Sequence, residues 1–424
     1  MKIFKFGGAS VNSADAVRNM ADIVSAHLAD DPLVVVVSAM GKTTNQLEKL
    51  VPGAEMRGDA CAVRAELERY HLSIASSLAP NDNSICEVVT SLLGQLDATV
   101  SSLLPDADSY NYNYDQVVSF GELISTNIIC RYLCSLGIKA LWLDARQFVI
   151  TDNHFREGRV DWGATASTCR QIPARATGYQ VIVTQGFIGS TDGHSPHTTT
   201  LGREGSDYTA AILAYCLGAE SVTIWKDVPG FLNADPKYYP DTVKIEHLPY
   251  NEAIELAYYG ASVIHPKTVK PIQNSGIPLY IRSFLAPDTE GSVIGNYHEI
   301  SPATPLYIFR NDQVLLSILP RDYSFIAEDN LQVIFGILNE VGVRVNLMQN
   351  SALSFSICID NNRPLVARLV ERLKDMFYVR YNDDLQLVTI RYYNQSVIDR
   401  IVGNRRILLE QRSRLTDQLI LSAR

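Results

Sequence analysis

The chain has 424 residues, of which 46% are hydrophobic and 20% charged, and its formal net charge at pH 7 is -9. This length allows two or three domains with a sizeable core. The acidic balance argues against nucleic acid as a partner, no apolar run has transmembrane length, and the first residues lack a signal-peptide pattern. We therefore expect a cytoplasmic globular protein without a membrane or nucleic-acid partner.

The first two thirds of the chain alternate short apolar strands with amphipathic helices. The predicted strands are KIFKF, PLVVVVSAM, IKALWLDA, YQVIVTQGFIG, SVTIWKDV and PLYIRSF, and helices are predicted at 13–28, 121–136, 206–217 and 250–259. Residues 55–114 are predicted to form a helical insertion that ends in a loop. Continuous apolar runs such as LVVVV are typical of strands covered on both faces. The pattern predicts an α/β fold, an αβα three-layer sandwich with a mainly parallel central sheet.

A segment rich in turn residues, Ala286 to Pro305, precedes a change of pattern. Beyond it, strands and helices follow in the order β-α-β-β-α-β, with helices at 327–340 and 364–376. This order predicts a ferredoxin-like α+β unit, which commonly serves as a small-molecule sensor. Residues 395–424 hold a short helix and one further strand, an abbreviated second unit. We divide the chain into a first domain (1–290), a linker (291–305) and a sensing region (306–424).

The stretch KFGGAS, from Lys5 to Ser10, ends the first strand with a lysine and two glycines. Gly7 and Gly8 let backbone N–H groups approach a phosphate, the following helix adds its N-terminus, and Lys5 supplies a point charge. An ordinary strand-to-helix turn explains the same residues. The loop from Ser38 to Leu47 offers hydroxyl and N–H donors for an anion, with a plain strand-loop-helix connection as the alternative.

Two further stretches place charged groups at predicted helix starts. Glu122, in SFGELIS, is either a capping carboxylate or the receptor of a substrate ammonium group. In TTTLGREGSD, Arg203 can hold a carboxylate with two parallel hydrogen bonds, whereas Ser206 or Asp207 can act as the helix cap. The cap alone does not require the arginine and the preceding threonines, so this stretch favours a functional site.

The segment WKDVPGFLNADPK follows a strand and contains two turns suited to enclosing a nucleotide base and ribose. Lys226 and Asp227 stand at the strand end, and Lys237 closes the segment. Asp227 and Asp235 also suit plain turns, so each residue alone leaves both interpretations open.

Taken together and in this order, KFGGAS, SAMGKTTNQL, SFGELIS, TTLGREGSDYTA, WKDVPGFLNADP and YGASVIHPKTVKP resemble aspartate kinases of the amino-acid-kinase superfamily. The resemblance covers Lys2 to about Ser283, and the tail looks like the paired ACT regulatory domains of that family. It implies that ATP, with Mg²⁺, phosphorylates the side-chain carboxylate of L-aspartate to give 4-phospho-L-aspartate, the first step toward lysine, threonine, methionine and diaminopimelate.

The resemblance also implies roles for individual residues. Lys5 would bind phosphate and stabilise the transition state, and Asp207 would orient Lys5. Arg203 would hold the substrate α-carboxylate and Glu122 its ammonium group, with Thr44 in contact. The implied ATP-binding set is Lys5, Gly7, Gly8, Ser10, Ser38, Ser206, Lys226, Asp227, Leu232, Lys237 and Ser262. No metal ligand from a protein side chain is expected.

Four positions depart from the family pattern. Ala9 stands where threonine is usual, Glu204 replaces a glycine and adds negative charge, and Leu232 stands where some members have tyrosine. Ser262 occupies the place of a lysine that contacts ATP in many members, which puts nucleotide affinity in question.

The regulatory tail carries its own departure. The loop QNSALS has Ala352 where lysine-sensitive relatives often have glutamate, which removes a charged partner for an effector's ammonium group. The candidate effector contacts are Ser324, Phe325, Asn350 and Ser351, with lysine or threonine as the effector. ACT units bury their sheet edges against another copy, so at least a homodimer is expected.

Two alternatives remain open beside the aspartate kinase. One is another amino-acid kinase, acting on glutamate or carbamate. The other is a catalytically weak or silent amino-acid sensor of the same fold, suggested by Ala9, Glu204 and Ser262.

Overall fold

The computed structural model describes residues 1–53, 59–106, 108–261, 263–322 and 324–422. The chain forms two compact units. The first consists of Met1–Phe231, Lys244–Ile254 and Ser262–Pro302, and the second of Leu232–Val243, Glu255–Ala261 and Ala303–Arg424. The break after residue 302 falls inside the predicted linker. The second unit also takes in two earlier stretches, which a division into contiguous domains does not anticipate.

Up to residue 302 the chain contains runs of strands and runs of helices. The strands are β1 (Lys2–Phe6), β2 (Leu33–Val37), β3 (Ala140–Leu143), β4 (Ile150–Thr151), β5 (Val181–Gln185), β6 (Ile188–Thr191), β7 (Thr198–Thr200), β8 (Ser221–Lys226), β9 (Phe231–Leu232), β10 (Lys244–Ile245), β11 (His247–Pro249), β12 (Leu279–Ser283) and β13 (Ser292–Gly295). The helices are α1 (Ala14–Ser25), α2 (Thr43–Glu48), α3 (Ala60–Leu78), α4 (Ser84–Ser102), α5 (Tyr110–Val118), α6 (Phe120–Ser135), α7 (Trp162–Cys169), α8 (Ile172–Arg175), α9 (Gly205–Leu217), α10 (Tyr250–Tyr259) and α11 (Pro266–Asn274).

The central sheet of the first unit has eight strands in the order β11-β13-β12-β8-β1-β2-β5-β3. Its pairs are parallel except for β12 with β13, which confirms the predicted mainly parallel sheet. Every residue of β2 and β5 is buried. Side chains alternate between the two faces of a strand, so both faces are covered, which explains the continuous apolar runs.

Two predictions for the first unit are wrong in part. The Asn/Tyr-rich stretch after 109 is the helix α5 rather than a loop, because tertiary contacts of its buried Asn113 and Asp115 outweigh weak local propensity. The predicted linker contains β13, which pairs with β11 and β12. Residues 54–58 and 107 of the predicted insertion lie outside the described residues.

One stretch of the described chain, Tyr110–Ser135, is long and apolar enough to cross a membrane by length and composition. Its apolar window is 83% buried within the protein, which is the behaviour of a core helix in a globular fold.

The second unit holds a six-stranded antiparallel sheet in the order β15-β16-β14-β17-β19-β18. Its strands are β14 (Leu306–Pro320), β15 (Val345–Asn350), β16 (Phe355–Asp360), β17 (Phe377–Arg391), β18 (Ile407–Arg412) and β19 (Thr416–Ser422), and its helices are α12 (Glu328–Val341), α13 (Arg363–Leu373) and α14 (Gln395–Val402). The predicted β-α-β-β-α-β order is confirmed from β14 to β17. The last predicted strand is in fact two strands, β18 and β19, because the polar run between them makes a turn without glycine or proline.

The two long strands β14 and β17 are shared by two halves of this sheet. The later part of β14 pairs with β16, and its first residues pair with the end of β17, which in turn pairs with β19. One apolar core lies under α12 and α13 and another under α14.

Candidate active site

The ends of the central parallel strands define one edge of the first unit. Lys5 lies near the carboxyl end of β1, where it is paired with Val36 of β2 and Ile224 of β8. Ligands of open parallel sheets bind outside these carboxyl ends. A cavity of 680 Å³ opens there, lined by Lys5, Gly8, Ser38, Ala39, Gly41, Thr44, Asn111, Tyr114, Glu122, His154, Phe155, Arg156, Glu157, Phe187, Gly202, Arg203, Glu204, Gly205 and Ser206.

The first two loops of this edge pack directly on each other. The N–H group of Gly41 donates to the carbonyl of Gly8 at 3.0 Å. A Cβ atom on Gly8 would lie 2.8 Å from the carbonyl oxygen of Ala39, closer than side chains tolerate. Gly8 is therefore required by contact between two backbones, and it leaves this loop's N–H groups close to the cavity.

Lys5, Asp207 and Lys226 form a buried charge cluster. The ammonium group of Lys5 lies 2.6 Å from Oδ1 of Asp207, and that of Lys226 lies 3.4 Å from Oδ2. The Asp207 side chain is fully buried, while those of Lys5 and Lys226 are 8% and 19% exposed. Burial opposes ionisation of Asp207, but the two ammonium groups outweigh it and hold its pKa below the usual value. The cluster presents fixed positive charge toward an anion.

Glu122 is a buried carboxyl group in the first turn of α6, as predicted. Its Oε1 accepts a hydrogen bond from the N–H group of Ala39 at 3.1 Å, whereas Oε2 has no hydrogen-bond partner among the described residues. Burial raises its pKa to about 8, against the opposing effects of that hydrogen bond and of the charge of Lys5. A buried carboxylate oxygen beside a cavity, without a partner, suits a cationic ligand.

Asp115 holds further segments beside the cavity. Its side chain is buried and accepts hydrogen bonds from the N–H groups of Arg156 and Thr200, both at 2.9 Å, and from the Thr200 hydroxyl at 2.7 Å. Burial raises its pKa to about 6, although these hydrogen bonds oppose the shift. The guanidinium of Arg156 lies over the ring of Tyr114, 4.5 Å from its centroid. Asp115 thus fixes the position of two cavity-lining segments.

The predicted site residues divide into groups by location. Lys5, Gly8, Ser38, Thr44, Glu122, Arg203 and Ser206 line the cavity, with Asp207 and Lys226 bound beside Lys5. A Cβ atom on Gly7 would lie 3.5 Å from the Lys5 ammonium nitrogen, which places Gly7 at the same loop.

The other predicted residues are not among those that line this cavity. The buried Ser10 donates its hydroxyl to the Trp225 carbonyl at 3.3 Å, a contact between the helical turn after β1 and the strand β8. Asp227 follows β8 and is exposed, and Ala9 is exposed in the short helical turn that follows β1. Leu232 and Lys237 belong to a stretch of the second unit, where the N–H group of Lys237 donates to Asp235, a turn contact. Ser262 lies outside the described residues.

The sequence prediction missed several lining residues. Asn111 and Tyr114 come from α5, which was predicted as a loop, and the residues from His154 to Glu157 come from a turn after β4. The sequence did contain a signal for the turn from His154 to Glu157, because polar turn residues follow a short strand there. Phe187, Arg156 and Glu204 share another feature, since all three have positive φ angles of 71°, 70° and 55°. Such strained conformations cluster at functional sites.

The candidate effector residues lie on two adjoining loops of the second unit. Ser324 and Phe325 precede α12, whereas Asn350 ends β15 and Ser351 follows it. The N–H group of Ile326 donates to the carbonyl of Ala352 at 2.9 Å, which joins the two loops. Phe325 is 71% exposed.

Comparison with known proteins identifies the class that this fold and site define. The amino acid kinase family matches residues 1–283, two thirds of the chain. The chain therefore belongs to the amino acid kinase family, as its motifs indicate.

Within that family the chain is an aspartokinase. It is 32% identical to lysine-sensitive aspartokinase 3 of Escherichia coli (strain K12) over 403 residues, which are 92% of this chain and 86% of the relative. It is 30% identical to the chloroplastic aspartokinase 1 of Arabidopsis thaliana over 391 residues, 88% of this chain and 66% of the relative. The chain thus spans about two thirds of the plant enzyme's length.

Solved structures agree with this assignment. E. coli aspartokinase III in complex with aspartate and ADP matches with a TM-score of 0.82 at 29% identity, covering 100% of this chain and 96% of that one. The same enzyme in complex with lysine and aspartate matches with the same values. The aspartate kinase of Clostridium acetobutylicum, at 20% identity and a TM-score of 0.77, supports the fold.

Proposed function

We propose that this aspartokinase transfers the γ-phosphoryl group of ATP to the side-chain carboxylate of L-aspartate, giving 4-phospho-L-aspartate and ADP. The observation that carries the proposal is one cavity that joins a buried lysine cluster to a buried carboxyl group, one oxygen of which has no hydrogen-bond partner in the described part of the chain. The first group suits phosphate and the second suits an ammonium group. The product would open the biosynthesis of lysine, threonine, methionine and diaminopimelate.

The acceptor is bound by complementary charges. Glu122 receives the ammonium group of aspartate on its free oxygen, and Arg203 holds the α-carboxylate through its guanidinium. Thr44, at the start of α2, adds a hydroxyl contact. With these two ends fixed, the side-chain carboxylate is directed toward Lys5. The E. coli enzyme solved with aspartate supports this choice of substrate.

The reaction needs no general base, because the aspartate carboxylate is already ionised at neutral pH. Catalysis consists of aligning two anions and neutralising charge on the transferred group. Lys5, kept charged and fixed by Asp207, stabilises that charge, and the N–H groups at Gly7 and Gly8 donate to the phosphates. Lys226, Ser38 and Ser206 border the same phosphates.

ATP and Mg²⁺ are the cofactors in this proposal, and the ADP complex of the E. coli enzyme supports the nucleotide. Mg²⁺ would neutralise charge on the ATP phosphates. The buried carboxylate nearest to the phosphate site, Asp207, is engaged by two lysines, so the phosphates themselves would supply the principal Mg²⁺ ligands.

The second unit is proposed to sense an amino acid, lysine or threonine, at the adjoining loops of Ser324 and Ser351. The lysine complex of E. coli aspartokinase III supports an amino-acid effector. We also propose a homodimer formed through the ACT-like sheet, supported by β15 and β18 lying at its edges. A cytoplasmic location is part of the same proposal and accords with the seven free cysteines.

A hydroxamate assay tests the proposal. Wild-type protein with ATP, Mg²⁺ and L-aspartate should form aspartyl hydroxamate, and Lys5→Ala should form almost none. If wild-type protein binds nucleotide but forms no aspartate-dependent acyl phosphate, it is the silent sensor and the kinase proposal fails. Lysine or threonine added to this assay should lower the rate, and flat rates with both would reject the effector proposal.

A further inference from the structure

Glu204 has a backbone conformation that its residue type rarely adopts. Its φ and ψ angles are 55° and 27°, in the left-handed region that glycine enters without strain. The residue directly precedes α9, whose first turn carries Ser206 and Asp207. Among the described residues, the Glu204 side chain makes no capping hydrogen bond to that helix, so the usual reason for a carboxylate at a helix start is not met.

The Glu204 carboxylate instead faces the charge cluster. Its Oε2 lies 4.0 Å from the ammonium nitrogen of Lys226, within range of Coulomb attraction but beyond a hydrogen bond. The side chain is 34% exposed and lines the cavity. Lys226 is also held in place by a hydrogen bond that it donates to the carbonyl of Val263 at 2.6 Å.

When Glu204 is counted with Lys5, Asp207 and Lys226, the charges of the four side chains cancel. Two ammonium groups, Lys5 and Lys226, face two carboxylates, Asp207 and Glu204. Asp207 is buried and directed at Lys5, whereas Glu204 is the partly exposed member on the cavity side. Without the Glu204 carboxylate, the cluster would carry one net positive charge at the place proposed for the phosphates.

We propose that Glu204 sets the nucleotide affinity of this enzyme by competing with the phosphates for Lys226. In the ligand-free protein the Glu204 carboxylate partly neutralises the charge of Lys226. An incoming nucleotide has to displace this carboxylate before its phosphates can pair with the lysine. The inference rests on the proposed function, because it takes the phosphates to be those of ATP or ADP. Glu204 is thus an affinity-setting residue and not a group that reacts.

Equilibrium binding of MgADP to the full chain, measured by calorimetry, tests this role. Removing one unit of opposing charge a few ångströms from the phosphates should tighten binding about tenfold in Glu204→Gln. Glu204→Gly should tighten it by a similar factor, because it removes the same charge and glycine adopts the left-handed conformation at this position without strain. In steady-state assays KM for ATP should fall in both variants, while KM for aspartate stays within about twofold of wild type.

Two controls separate this role from general effects. Glu66→Gln makes the same charge change on the exposed face of α3 and should leave MgADP affinity unchanged. Glu204→Gln should have a smaller effect in a Lys226→Met background than in wild type. An equal effect in that background would show that Glu204 does not act through Lys226 and would overturn the competition.

Unchanged or weaker MgADP binding by Glu204→Gln would also overturn the inference. This outcome differs from failure of the proposed function, since it is compatible with full hydroxamate formation. Conversely, tighter MgADP binding without any aspartate phosphorylation would support the role of Glu204 and reject the reaction.

Discussion

The ammonium nitrogen of Lys5 lies 2.6 Å from a carboxylate oxygen of Asp207, although 202 positions separate the two residues in the chain. Lys5 is on one of the two middle strands of the eight-stranded sheet, and Asp207 is in the first turn of α9. The pair is closed off from solvent except on the cavity side of the lysine. It therefore provides a charge that is oriented before the substrates arrive, which is the condition for electrostatic stabilisation of a transition state.

Replacing Lys5 by alanine should lower kcat about 1,000-fold, because one charge donor to the transferred phosphoryl group is lost. It should also destabilise the fold by about 3 kcal/mol, since among the described residues Asp207 keeps only the ion pair with the more distant Lys226. Single-turnover kinetics and urea unfolding measure the two effects. Lys2→Ala, on the exposed position of the same strand, should change neither. A kcat near wild type for Lys5→Ala would contradict the assigned role.

Aspartate binding should depend on pH through Glu122. With a pKa of about 8, this group is protonated in the free protein at pH 7, and it has to ionise to pair with an ammonium group. Aspartate binding at pH 7 should therefore release about one proton, and affinity should rise up to about tenfold per pH unit until the pKa is passed.

Calorimetry in buffers of different ionisation enthalpy measures this proton release. In Glu122→Gln the release should disappear, and binding should be weak at every pH. Proton release that persists in the variant would assign the titration to another group.

Alanine substitutions at the two adjacent glycines should have unequal effects. The new Cβ at Gly8 would meet the backbone oxygens of Ala39 and Gly41 at 2.8 and 3.0 Å, so the two loops have to separate. The new Cβ at Gly7 meets only the end of the Lys5 side chain, at 3.5 Å. We expect kcat/KM for ATP to fall about 100-fold in Gly8→Ala and much less in Gly7→Ala, since a small misplacement of positioning groups has large kinetic effects. Equal losses would remove the steric explanation.

Asp115→Ala should destabilise the first unit by about 3 kcal/mol, because three donors from Arg156 and Thr200 lose a buried acceptor. Asp152 offers a matched control. Its exposed side chain accepts two backbone hydrogen bonds, from His154 and Arg159, and water can replace it there. The shift in the urea midpoint should therefore be several times larger for Asp115→Ala than for Asp152→Ala. Similar shifts would show that burial of these hydrogen bonds does not increase their contribution to stability.

The parts of the site that could be predicted are those at the ends of apolar runs. Lys5, Ser38 and Lys226 lie within one residue of the ends of apolar strands, and such strands can be recognised by local composition. The pairing of Lys5 with Asp207 has no local signal, and it was predicted only through the family resemblance. Tyr114 and Arg156 escaped prediction because they come from a helix with weak propensity and from a turn, and tertiary contacts with Asp115 decide their positions.

In the second unit, the β-α-β-β-α-β order was recoverable because hydrophobic periodicity changes along the chain. The assignment of residues 232–243 and 255–261 to this unit could not be predicted, since those stretches are short. They join the unit through non-local contacts, such as the hydrogen bond that Asn311 donates to the Tyr238 hydroxyl. Asn233 likewise binds the carbonyl of Pro305 at 3.0 Å, a contact across 72 residues.

The long strands β14 and β17 run through both halves of the regulatory sheet. Each has 15 residues and borders the core under α12 and α13 at one end and the core under α14 at the other. A slip of their pairing by one residue would turn inward-facing side chains outward in both halves at once, so the two halves share one register. The pairing of β14 with β17 is irregular between Arg310 and Leu315, and an irregularity of this kind bends the strands locally while the pairing on either side is kept.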